Sequence, residues 1–384
     1  SRMILIAKKD AICPPSLTRP ISLIDSFLKV CEKLFLSRFR DVLFRRGLLP
    51  DIQSGFREKF RLQTRLLLFL GDLRSLLANS APVCTLFIDF KSAFDMLWHH
   101  GCIGKLKRLG IPHSYLNWIE NWLSDRQGFI EINNCRSRWF PINKGGPQGS
   151  VLTPTLFITY HCDMYSFLAG ATSHMFADDV AAIVSGQMGL RFTDQCIDLE
   201  KRLCKFLDQL EFYSVLADQP LNFSKTEAMF SCRAIANPKF NLAFPSDNST
   251  LNWKKEYKYL GYIISRKLGW SKLIHNTEIK IRRSISLIKS FKIFGCSSPK
   301  LRLALFHTFV LPIFSWIFPL FPLFTRFQQQ RLSHFYYTSL RRLLSCLHLN
   351  NNLFSYCLDL PSLEDRCLNY WNRYLISLSD SVDG

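Results

Sequence analysis

Two adjacent aspartates, Asp178 and Asp179, stand between two short apolar runs in the stretch 174–184. This pattern predicts a β-hairpin with the acid pair at its turn. Turn chemistry alone would account for the pair, because Asp tolerates turn backbone and prefers solvent. An apolar hairpin, however, holds both carboxylates at one end of a sheet, where like charges are unfavourable unless a cation lies between them. Mg²⁺ takes oxygen ligands, so the pair is a candidate metal site that needs a third carboxylate.

A third carboxylate follows another apolar run. Residues 84–89 read Cys-Thr-Leu-Phe-Ile-Asp, which predicts a short buried strand ending in Asp89. Two interpretations of Asp89 remain open at this point. It is either the N-cap of a helix that begins in the next residues, or a catalytic carboxylate at a strand end beside the Asp178-Asp179 hairpin. Asp95, six residues further on, is predicted to be structural.

Charge narrows the class of partner. The 384 residues carry 49 Lys and Arg against 30 Asp and Glu, a net charge of +19, which indicates either nucleic acid or an acidic membrane surface. Residues 29–65 hold ten basic side chains and four acids, and residues 272–302 hold eight basic side chains and one acid. Thirteen cysteines without a C-x-x-C pair disfavour a zinc knuckle or a disulfide framework and favour a reducing compartment.

Other patterns predict the elements around the acids. An amphipathic helix is expected with Phe27, Val30, Leu34 and Phe35 on its apolar face, and a longer helix at about 194–213. Strands are expected at 3–7 and 227–231, and a strand or hairpin at 257–264. Residues 143–150 form a glycine-rich loop that runs into a helix start and is not a Walker loop. Residues 305–324 are long and apolar enough to span a bilayer, but three prolines favour a buried helix-turn element.

Seven short stretches follow one another over roughly residues 4–265, and the two aspartate segments are among them. In this order and spacing they resemble the reverse transcriptases of non-LTR (LINE-type) retrotransposons, which share a core with group II intron enzymes. The sequence departs from that family at Gly146, where an aliphatic residue is usual, and at Phe176, where Tyr is common. The stretches are Arg19-Pro20-Ile21-Ser22-Leu23, Gln53-Ser54-Gly55-Phe56-Arg57, Phe87-Ile88-Asp89-Phe90-Lys91-Ser92-Ala93-Phe94-Asp95, Gly146-Pro147-Gln148-Gly149-Ser150-Val151-Leu152-Thr153-Pro154, Phe176-Ala177-Asp178-Asp179, Leu221-Asn222 with Lys225-Thr226, and Tyr259-Leu260-Gly261.

The resemblance implies an α+β fold of the right-hand polymerase type, with fingers, a palm whose antiparallel sheet is flanked by helices, and a helical thumb. It places fingers at 1–85, the first palm segment at 86–110 and a helical insertion of fingers and palm at 111–145. The nucleotide loop, the aspartate hairpin and the primer grip then form the palm at 146–265. A thumb and C-terminal helical region occupy 266–384.

The resemblance also assigns site residues. Asp89, Asp178 and Asp179 match the catalytic carboxylates that hold two Mg²⁺ ions, with Mn²⁺ as an alternative. Phe94, five residues after Asp89, matches the position that screens the 2′ carbon of the sugar. The remaining matches form two groups. The nucleotide-binding residues are Lys8, Arg19, Gln148 and Lys225, and the primer-grip residues are Tyr259, Leu260 and Gly261.

The function implied is that of an RNA-directed DNA polymerase, which extends a primer 3′-hydroxyl on an RNA template. Its partners would be an RNA template, a DNA primer and deoxynucleoside triphosphates, without a membrane, and the oligomeric state stays open. The implied location is intracellular, in the nucleus at the site of integration. Two alternatives remain: a catalytically inactive nucleic-acid-binding remnant or maturase-like protein, and a membrane-associated basic protein.

Overall fold

The structure is a computed structural model that describes residues 1–7, 18–132, 135–232, 240–247, 249–291, 298–345, 350, 356 and 360–382. The chain separates into two compact units, Ser1–Lys254 and Lys255–Gly384. Both α-helices and β-strands are present, as the sequence predicts for an α+β fold. The predicted division into fingers, palm and thumb stays a prediction.

The first unit contains two sheets and the helices that cover them. Its described strands are β1 (Arg2–Ala7), β2 (Thr18–Leu23), β3 (Val83–Ile88), β4 (Gln127–Ile132), β5 (Cys135–Arg136), β6 (Phe140–Pro141), β7 (Thr172–Phe176), β8 (Asp179–Ser185), β9 (Glu227–Ser231) and β10 (Asn252–Trp253). Its described α-helices are α1 (Ser26–Arg45), α2 (Leu62–Ala78), α3 (His99–Arg108), α4 (His113–Leu123), α5 (Thr153–Tyr160), α6 (Met164–Phe167) and α7 (Phe192–Leu216).

A five-stranded sheet in the order β10-β9-β3-β8-β7 is the centre of this unit. Strand β3 pairs antiparallel with both β8 and β9, and every residue of β3 is buried. One face of β3 belongs to the main hydrophobic core, and on the other face Phe87 packs against Phe69 of α2 with ring centroids 6.2 Å apart. A strand covered on both faces reads as a continuous apolar run, which is why residues 83–88 lack the usual polar alternation.

The second sheet of the first unit lies near its N-terminus. Strands β2 and β1 form an antiparallel pair, β1 runs parallel to β4, and β4 pairs antiparallel with β5 and β6. The register of β1 and β2 places Arg19 opposite Ile6. The backbone N–H of Ser22 in β2 donates to the carbonyl of Gln148 at 2.8 Å, so this sheet is joined directly to the glycine-rich loop.

Helix α1 forms as expected, but the predicted apolar face is wrong. Phe27, Val30 and Leu34 are mostly exposed, and the buried stripe instead contains Glu32 followed by three apolar residues. Phe35 alone among the predicted residues packs inward, with its ring 3.9 Å from that of Trp118. A glutamate can occupy the buried face because its carboxylate accepts three hydrogen bonds, which compensate for the loss of water.

The second unit is mainly helical. It contains β11 (Glu256–Tyr259) and β12 (Tyr262–Ser265), which form a hairpin, and the described helices α8 (Ser271–Ser290), α9 (Pro299–Leu305), α10 (Leu311–Trp316), α11 (Arg326–Leu344) and α12 (Leu363–Val382). Glu278 on α8 is buried and accepts two 2.8 Å hydrogen bonds from the guanidinium of Arg331 on α11. This paired contact fixes the two helices against each other.

The apolar stretch of the second unit is broken into short helical pieces. Within the described residues, Pro299–Leu323 is the one segment with the length and composition of a membrane span. It consists of α9, a π-helical turn, α10 and a 3₁₀ turn with Pro322 inside it. The rings of Phe306 and Phe314 lie 5.9 and 5.4 Å from that of Tyr336 on α11, so the segment supplies core residues of this unit.

Candidate active site

The aspartate pair lies at the turn of the hairpin formed by β7 and β8, as predicted. Phe176 and Asp179 are paired, which leaves Ala177 and Asp178 as a two-residue turn. Ala177 has a φ of +59°, and a positive φ at the first turn position belongs to the hairpin turns whose twist matches that of the strands. Because Ala carries a Cβ, this conformation is strained and needs support from neighbouring groups.

Gln53 supplies that support from a distant part of the chain. Its side-chain Oε1 accepts hydrogen bonds from the backbone N–H groups of Gly55 and Ala177, both at 2.8 Å. Its Nε2 donates to the carbonyl of Ala177 at 3.1 Å. Residue 55 has to be glycine here, because a Cβ would lie 2.2 Å from the nitrogen of Ala177. The segment 53–55 therefore acts as a clamp on the aspartate turn.

A buried arginine on α2 stabilises the clamp segment 53–55. Arg65 on α2 donates to the hydroxyl of Ser54 at 2.9 Å and to the carbonyl of Asp51, and its guanidinium lies 3.4 Å from Nδ1 of His174. Burial, assisted by the charge of Arg65, lowers the pKa of His174 to about 4. A neutral imidazole is compatible with the adjacent guanidinium, so this group is a structural support at neutral pH.

The third carboxylate reaches the same end of the sheet through strand pairing. Ile88 is paired with Val180 in antiparallel register, so Asp89, which follows Ile88, lies beside Asp179, which precedes Val180. The backbone N–H of Asp89 donates to the hydroxyl of Thr226 at 3.2 Å. Its carboxylate accepts a 2.7 Å hydrogen bond from Nδ2 of Asn222 and lies 3.8 Å from Nζ of Lys225.

The alternative interpretation of Asp89 as a helix cap is wrong. A short 3₁₀ turn, Ala93–Met96, is preceded by Ser92, so Asp89 lies outside the capping position. Ser92 has a φ of +46°, and the chain bends there before it enters α3. The side chain of Asp89 therefore does not cap this turn, and it contacts the segment 222–226 instead.

Burial and neighbouring negative charge both shift the pKa values of the aspartate pair. Burial, and then the charges of Asp178 and Asp89, raise the pKa of Asp179 to about 6. The pKa of Asp178 is also raised, mainly by burial and further by Asp89, while a backbone hydrogen bond and the charge of Arg19 oppose the shift. The sequence predicted that like charges would meet here, whereas the contribution of burial to the raised pKa of Asp178 and Asp179 is given by the structure.

The fit of a metal ion can be tested on these groups. Among the described residues, no three His, Cys, Asp or Glu side chains are arranged as a ready metal cage. The donors are nevertheless all carboxylate oxygens, the type that Mg²⁺ prefers. Burial first, and then neighbouring carboxylate charge, raises the pKa of Asp178 and of Asp179, and a cation would neutralise that charge. The donor chemistry therefore fits a divalent cation, and Asp89 would have to exchange its contacts to Asn222 and Lys225 for the ion.

The structure places the predicted nucleotide-binding residues at different distances from the acids. Arg19 is exposed on β2 and acts electrostatically on Asp178, and Lys225 lies beside Asp89. Gln148 donates from Nε2 to both carboxylate oxygens of Asp95, at 2.8 and 2.9 Å. Lys8 lies outside the described residues.

Phe94 is half-buried at the bend that follows Asp89. Its ring lies 4.7 Å from that of Phe157 on α5 and 6.1 Å from that of Phe56 in the clamp segment. The contact with Phe157 is a core contact, whereas the remaining exposure leaves part of the ring accessible. Both the packing role and the sugar-screening role therefore stay predictions.

The predicted primer-grip residues belong to the second unit. Tyr259 is buried, and the hairpin turns through Leu260 and Gly261 at φ values of +47° and +86°. A Cβ on Gly261 would lie 2.9 Å from the ring of Trp316, so a close approach as well as the turn requires glycine. Their role in holding a primer stays a prediction.

Glu32 is a site-supporting residue that sequence reasoning missed. Its Oε2 accepts from the hydroxyl of Ser150 at 2.7 Å and from the backbone N–H of Val151 at 3.2 Å, while Oε1 accepts from the indole of Trp122 at 3.0 Å. It thereby fixes the end of the glycine-rich loop before α5. Its only sequence signal is a charged residue between apolar ones in a helix, which usually indicates an exposed position.

Comparisons with known proteins support the resemblance. The family model for reverse transcriptase (RNA-dependent DNA polymerase) matches residues 6–264. The chain is 28% identical over 276 residues to the RNA-directed DNA polymerase from mobile element jockey of Drosophila melanogaster, covering 70% of this chain and 29% of that protein. It is also 28% identical over 269 residues to the probable RNA-directed DNA polymerase from transposon BS of the same organism, covering 66% and 28% respectively.

A solved structure of telomerase from Candida tropicalis, in complex with the TWJ fragment of telomeric RNA, has a TM-score of 0.46 and 12% identity to this chain, covering 90% of this chain and 59% of that one. The chain spans less than a third of the length of the two curated relatives. The family match nevertheless covers most of the chain and includes the three aspartates, the clamp and the glycine-rich loop. The chain therefore belongs to the reverse transcriptase (RNA-dependent DNA polymerase) family.

Proposed function

We propose that this chain is an RNA-directed DNA polymerase of a non-LTR retrotransposon, which extends a primer 3′-hydroxyl on an RNA template with deoxynucleoside triphosphates. The observation that carries the proposal is the meeting of Asp89, Asp178 and Asp179 at one end of the central sheet, in a chain of the reverse transcriptase family. Nucleotidyl transfer needs charge stabilisation more than covalent participation by the protein, and acids with raised pKa values are candidates for that role.

The three aspartates would hold two Mg²⁺ ions, or Mn²⁺. Bound there, the ions would neutralise charge on the attacking and leaving oxygens of an in-line displacement. The chain itself contributes the position of the ligands. Gln53 holds the turn that carries Asp178, and Thr226 holds the backbone of Asp89.

Cationic side chains around the acids suit a triphosphate. Arg19 already offsets the charge of Asp178, and the ammonium of Lys225 lies beside Asp89. Both side chains are largely exposed, so they are free to bind phosphate oxygens once a cation has neutralised the carboxylates. Lys8 and Gln148 complete the proposed nucleotide site, and Phe94 is proposed to exclude ribonucleotides.

Exposed basic residues are proposed to bind the template and primer. In the second unit, Lys280, Arg283 and Lys289 are exposed on α8, opposite the apolar stripe of that helix. In the first unit, α1 and its C-cap residue expose several further basic side chains, which are Lys33, Arg38, Arg45 and Arg46. Such charges bind the phosphate backbone without reading sequence, as copying of any template requires. The hairpin 259–261 is proposed as the primer grip, and the nucleus as the place of action.

Primer extension on an RNA template with purified chain tests the proposal. Wild-type protein should extend the primer only with a divalent cation present, and Asp89→Asn and Asp179→Asn should each abolish extension while binding of primer–template persists. Asp208→Asn changes an exposed carboxylate on α7 and is the matched control, which should retain activity. Wild-type protein that binds but never extends would support the inactive-remnant or maturase alternative.

The membrane alternative has its own test. Residues 299–323 would have to leave the core of the second unit in order to enter a bilayer. Protein that stays in the membrane pellet after carbonate extraction would favour that alternative. Release into the supernatant is expected from the proposed function.

A further inference from the structure

The sheet near the N-terminus has two unlike faces. Residues paired across neighbouring strands share a face, so the strand registers assign alternate residues to opposite sides. One side, with Met3, Ser22 and Ile130, lines a cavity of about 410 Å³ together with the glycine-rich loop. We call the opposite side the outer face. Besides apolar residues of β1 and β2, it carries Arg2, Arg19, Phe129, Glu131, Arg136 and Trp139.

An exposed tryptophan lies on the outer face. Trp139 is 61% exposed, and its ring contacts that of Phe129 on β4 edge to face, with the centroids 4.7 Å apart. The guanidinium of Arg136 lies 5.4 Å from the centroid of the Phe129 ring. Ile6 and Leu23, on the same face of β1 and β2, are exposed as well. The contact with Phe129 therefore orients the indole, while most of its surface stays accessible to a partner.

Positive charge surrounds this tryptophan. Arg2, Arg19 and Arg136 are exposed. The mostly buried carboxylate of Glu131 lies 3.4 Å from Arg2 and 3.1 Å from Arg136. Three arginines against one glutamate leave the outer face with a positive net charge among the described residues. A negatively charged partner is therefore favoured.

An exposed ring beside arginines suits an unpaired nucleic-acid strand. In a duplex the bases are stacked on one another, and side chains reach mainly phosphates and groove edges. An unpaired base offers its flat face to an aromatic ring, and guanidinium groups bind the phosphates on either side of that base. Trp139 and its arginines provide both kinds of group on one sheet face, so single-stranded RNA fits this surface better than a duplex does.

The outer face begins beside the candidate active site. Arg19 on β2 acts electrostatically on Asp178. Trp139 directly precedes β6, and the order β2-β1-β4-β6 contains three strand spacings, which is roughly 15 Å. During copying, the part of the template that has been read is paired with new DNA. An unpaired strand that leaves the active site is therefore template still to be copied.

We propose that the outer face binds the uncopied part of the RNA template, with an unpaired base stacked on Trp139 and neighbouring phosphates bound by the arginines. This inference rests on the proposed polymerase function. It adds a contact of a different kind from the basic residues of α1 and α8, which bind any strand through its phosphates. Stacking on Trp139 requires a base that is present and unpaired, whatever its identity.

Three templates annealed to the same primer separate stacking from charge. The short template ends one nucleotide beyond the primer 3′ end. The long template continues for about ten unpaired nucleotides, and the abasic template has the same extension without its bases. The Kd of each is measured at one salt concentration. The ratio of the Kd values for the abasic and long templates then reports stacking, because both extensions carry the same phosphates.

Substitutions at Trp139 assign that ratio to the indole. Trp139→Leu keeps an apolar side chain but has no aromatic face, whereas Trp139→Phe keeps a ring. Phe212→Ala is the matched control, because Phe212 lies on α7 of the same unit and is 62% exposed. Wild type should bind the long template about tenfold more tightly than the abasic one. Trp139→Leu should reduce this ratio to near one, Trp139→Phe should retain most of it, and the control should match wild type. The Kd of the short template should stay unchanged throughout.

Three results would overturn the inference. Wild type could bind the long and abasic templates equally, or Trp139→Leu could keep the wild-type ratio. Trp139→Leu could also weaken binding of all three templates alike, in step with a lower melting temperature, as a purely structural residue would. Primer extension on the short template tests the polymerase function separately. Extension without a stacking ratio would support that function alone, whereas a Trp139-dependent ratio without extension would support single-strand binding and refute the polymerase.

Discussion

The contact between Gln53 and the aspartate turn allows a quantitative test of how the site is held. Gln53→Met keeps the length and approximate volume of a buried side chain but removes its hydrogen-bonding groups. The N–H groups of Gly55 and Ala177 and the carbonyl of Ala177 then lose their side-chain partner. The change therefore isolates the polar clamp from the packing of the residue.

The magnitude follows from the two buried N–H groups. A buried donor left without a partner costs about 1–3 kcal/mol, so two of them should reduce the free energy of unfolding by roughly 3 kcal/mol. For a unit of 254 residues, 1 kcal/mol shifts the melting temperature by about 2–4 °C. The expected decrease is then about 6–12 °C. Activity should fall further than stability, because displacement of a catalytic group by about 1 Å can reduce the rate about 100-fold.

The assay combines thermal unfolding with primer extension at a temperature where the variant remains folded. Gln187→Met is the matched control, since Gln187 is exposed just after β8, and it should behave as wild type in both measurements. If Gln53→Met melts at the same temperature as the control, the three hydrogen bonds do not support the turn and the clamp argument fails. A large decrease in stability with unchanged kcat would show instead that Asp178 is positioned by other groups.

Three further predictions concern sugar choice, pH and salt. Phe94→Ala should raise ribonucleotide incorporation if the ring screens the sugar. If the ring only packs against Phe157, the substitution should cost about 2 kcal/mol, less than for a fully buried Phe, and leave the deoxy-to-ribo ratio of kcat/KM unchanged. The pKa of Asp179 in the folded protein, about 6, lies above its value in the unfolded chain. Without divalent cations, the free energy of unfolding should therefore fall as pH rises from about 4 to 6. Melting curves of Asp179→Asn should show a weaker dependence on pH over this range. Arg283→Glu should weaken primer–template binding and reduce the dependence of that binding on salt. Arg282→Glu is a poorer test, because Arg282 lies 3.9 Å from Glu278. Loss of Arg282 would therefore also affect the contact of α8 with α11.

Periodicity predicted the elements that carry the acids. The apolar runs around the aspartate pair become β7 and β8, and the run before Asp89 becomes β3, because continuous or alternating apolar residues have few other ways to be buried. The same use of periodicity led to a wrong prediction for the apolar face of α1. Periodicity assigns Phe27, Val30 and Leu34 to the core, whereas hydrogen bonds to Glu32 allow a charged residue to be buried instead.

The supports of the site could not be predicted from local sequence. Gln53 and Ala177 are separated by 124 residues, and Asn222 and Asp89 by 133, so no pattern within a window brings them together. The stretches 53–57 and 221–226 stood out only by resemblance, without a physical role. The structure gives them one, because each donates or accepts hydrogen bonds at the backbone or carboxylate of an aspartate segment.

Two kinds of residue therefore make up the candidate site. Burial, and then the charges of Asp178 and Asp89, raise the pKa of Asp179, an arrangement that costs stability in the free protein and that a cation would relieve. The supports are Gln53, Thr226 and Arg65. Their hydrogen bonds hold backbone or loop positions. Substitution of an aspartate should then abolish activity and leave the fold intact or more stable, whereas substitution of a support should reduce both together. The two classes of residue should therefore change stability in opposite directions when substituted, as their charges and hydrogen bonds require. One set of variants then distinguishes the metal ligands from the supports.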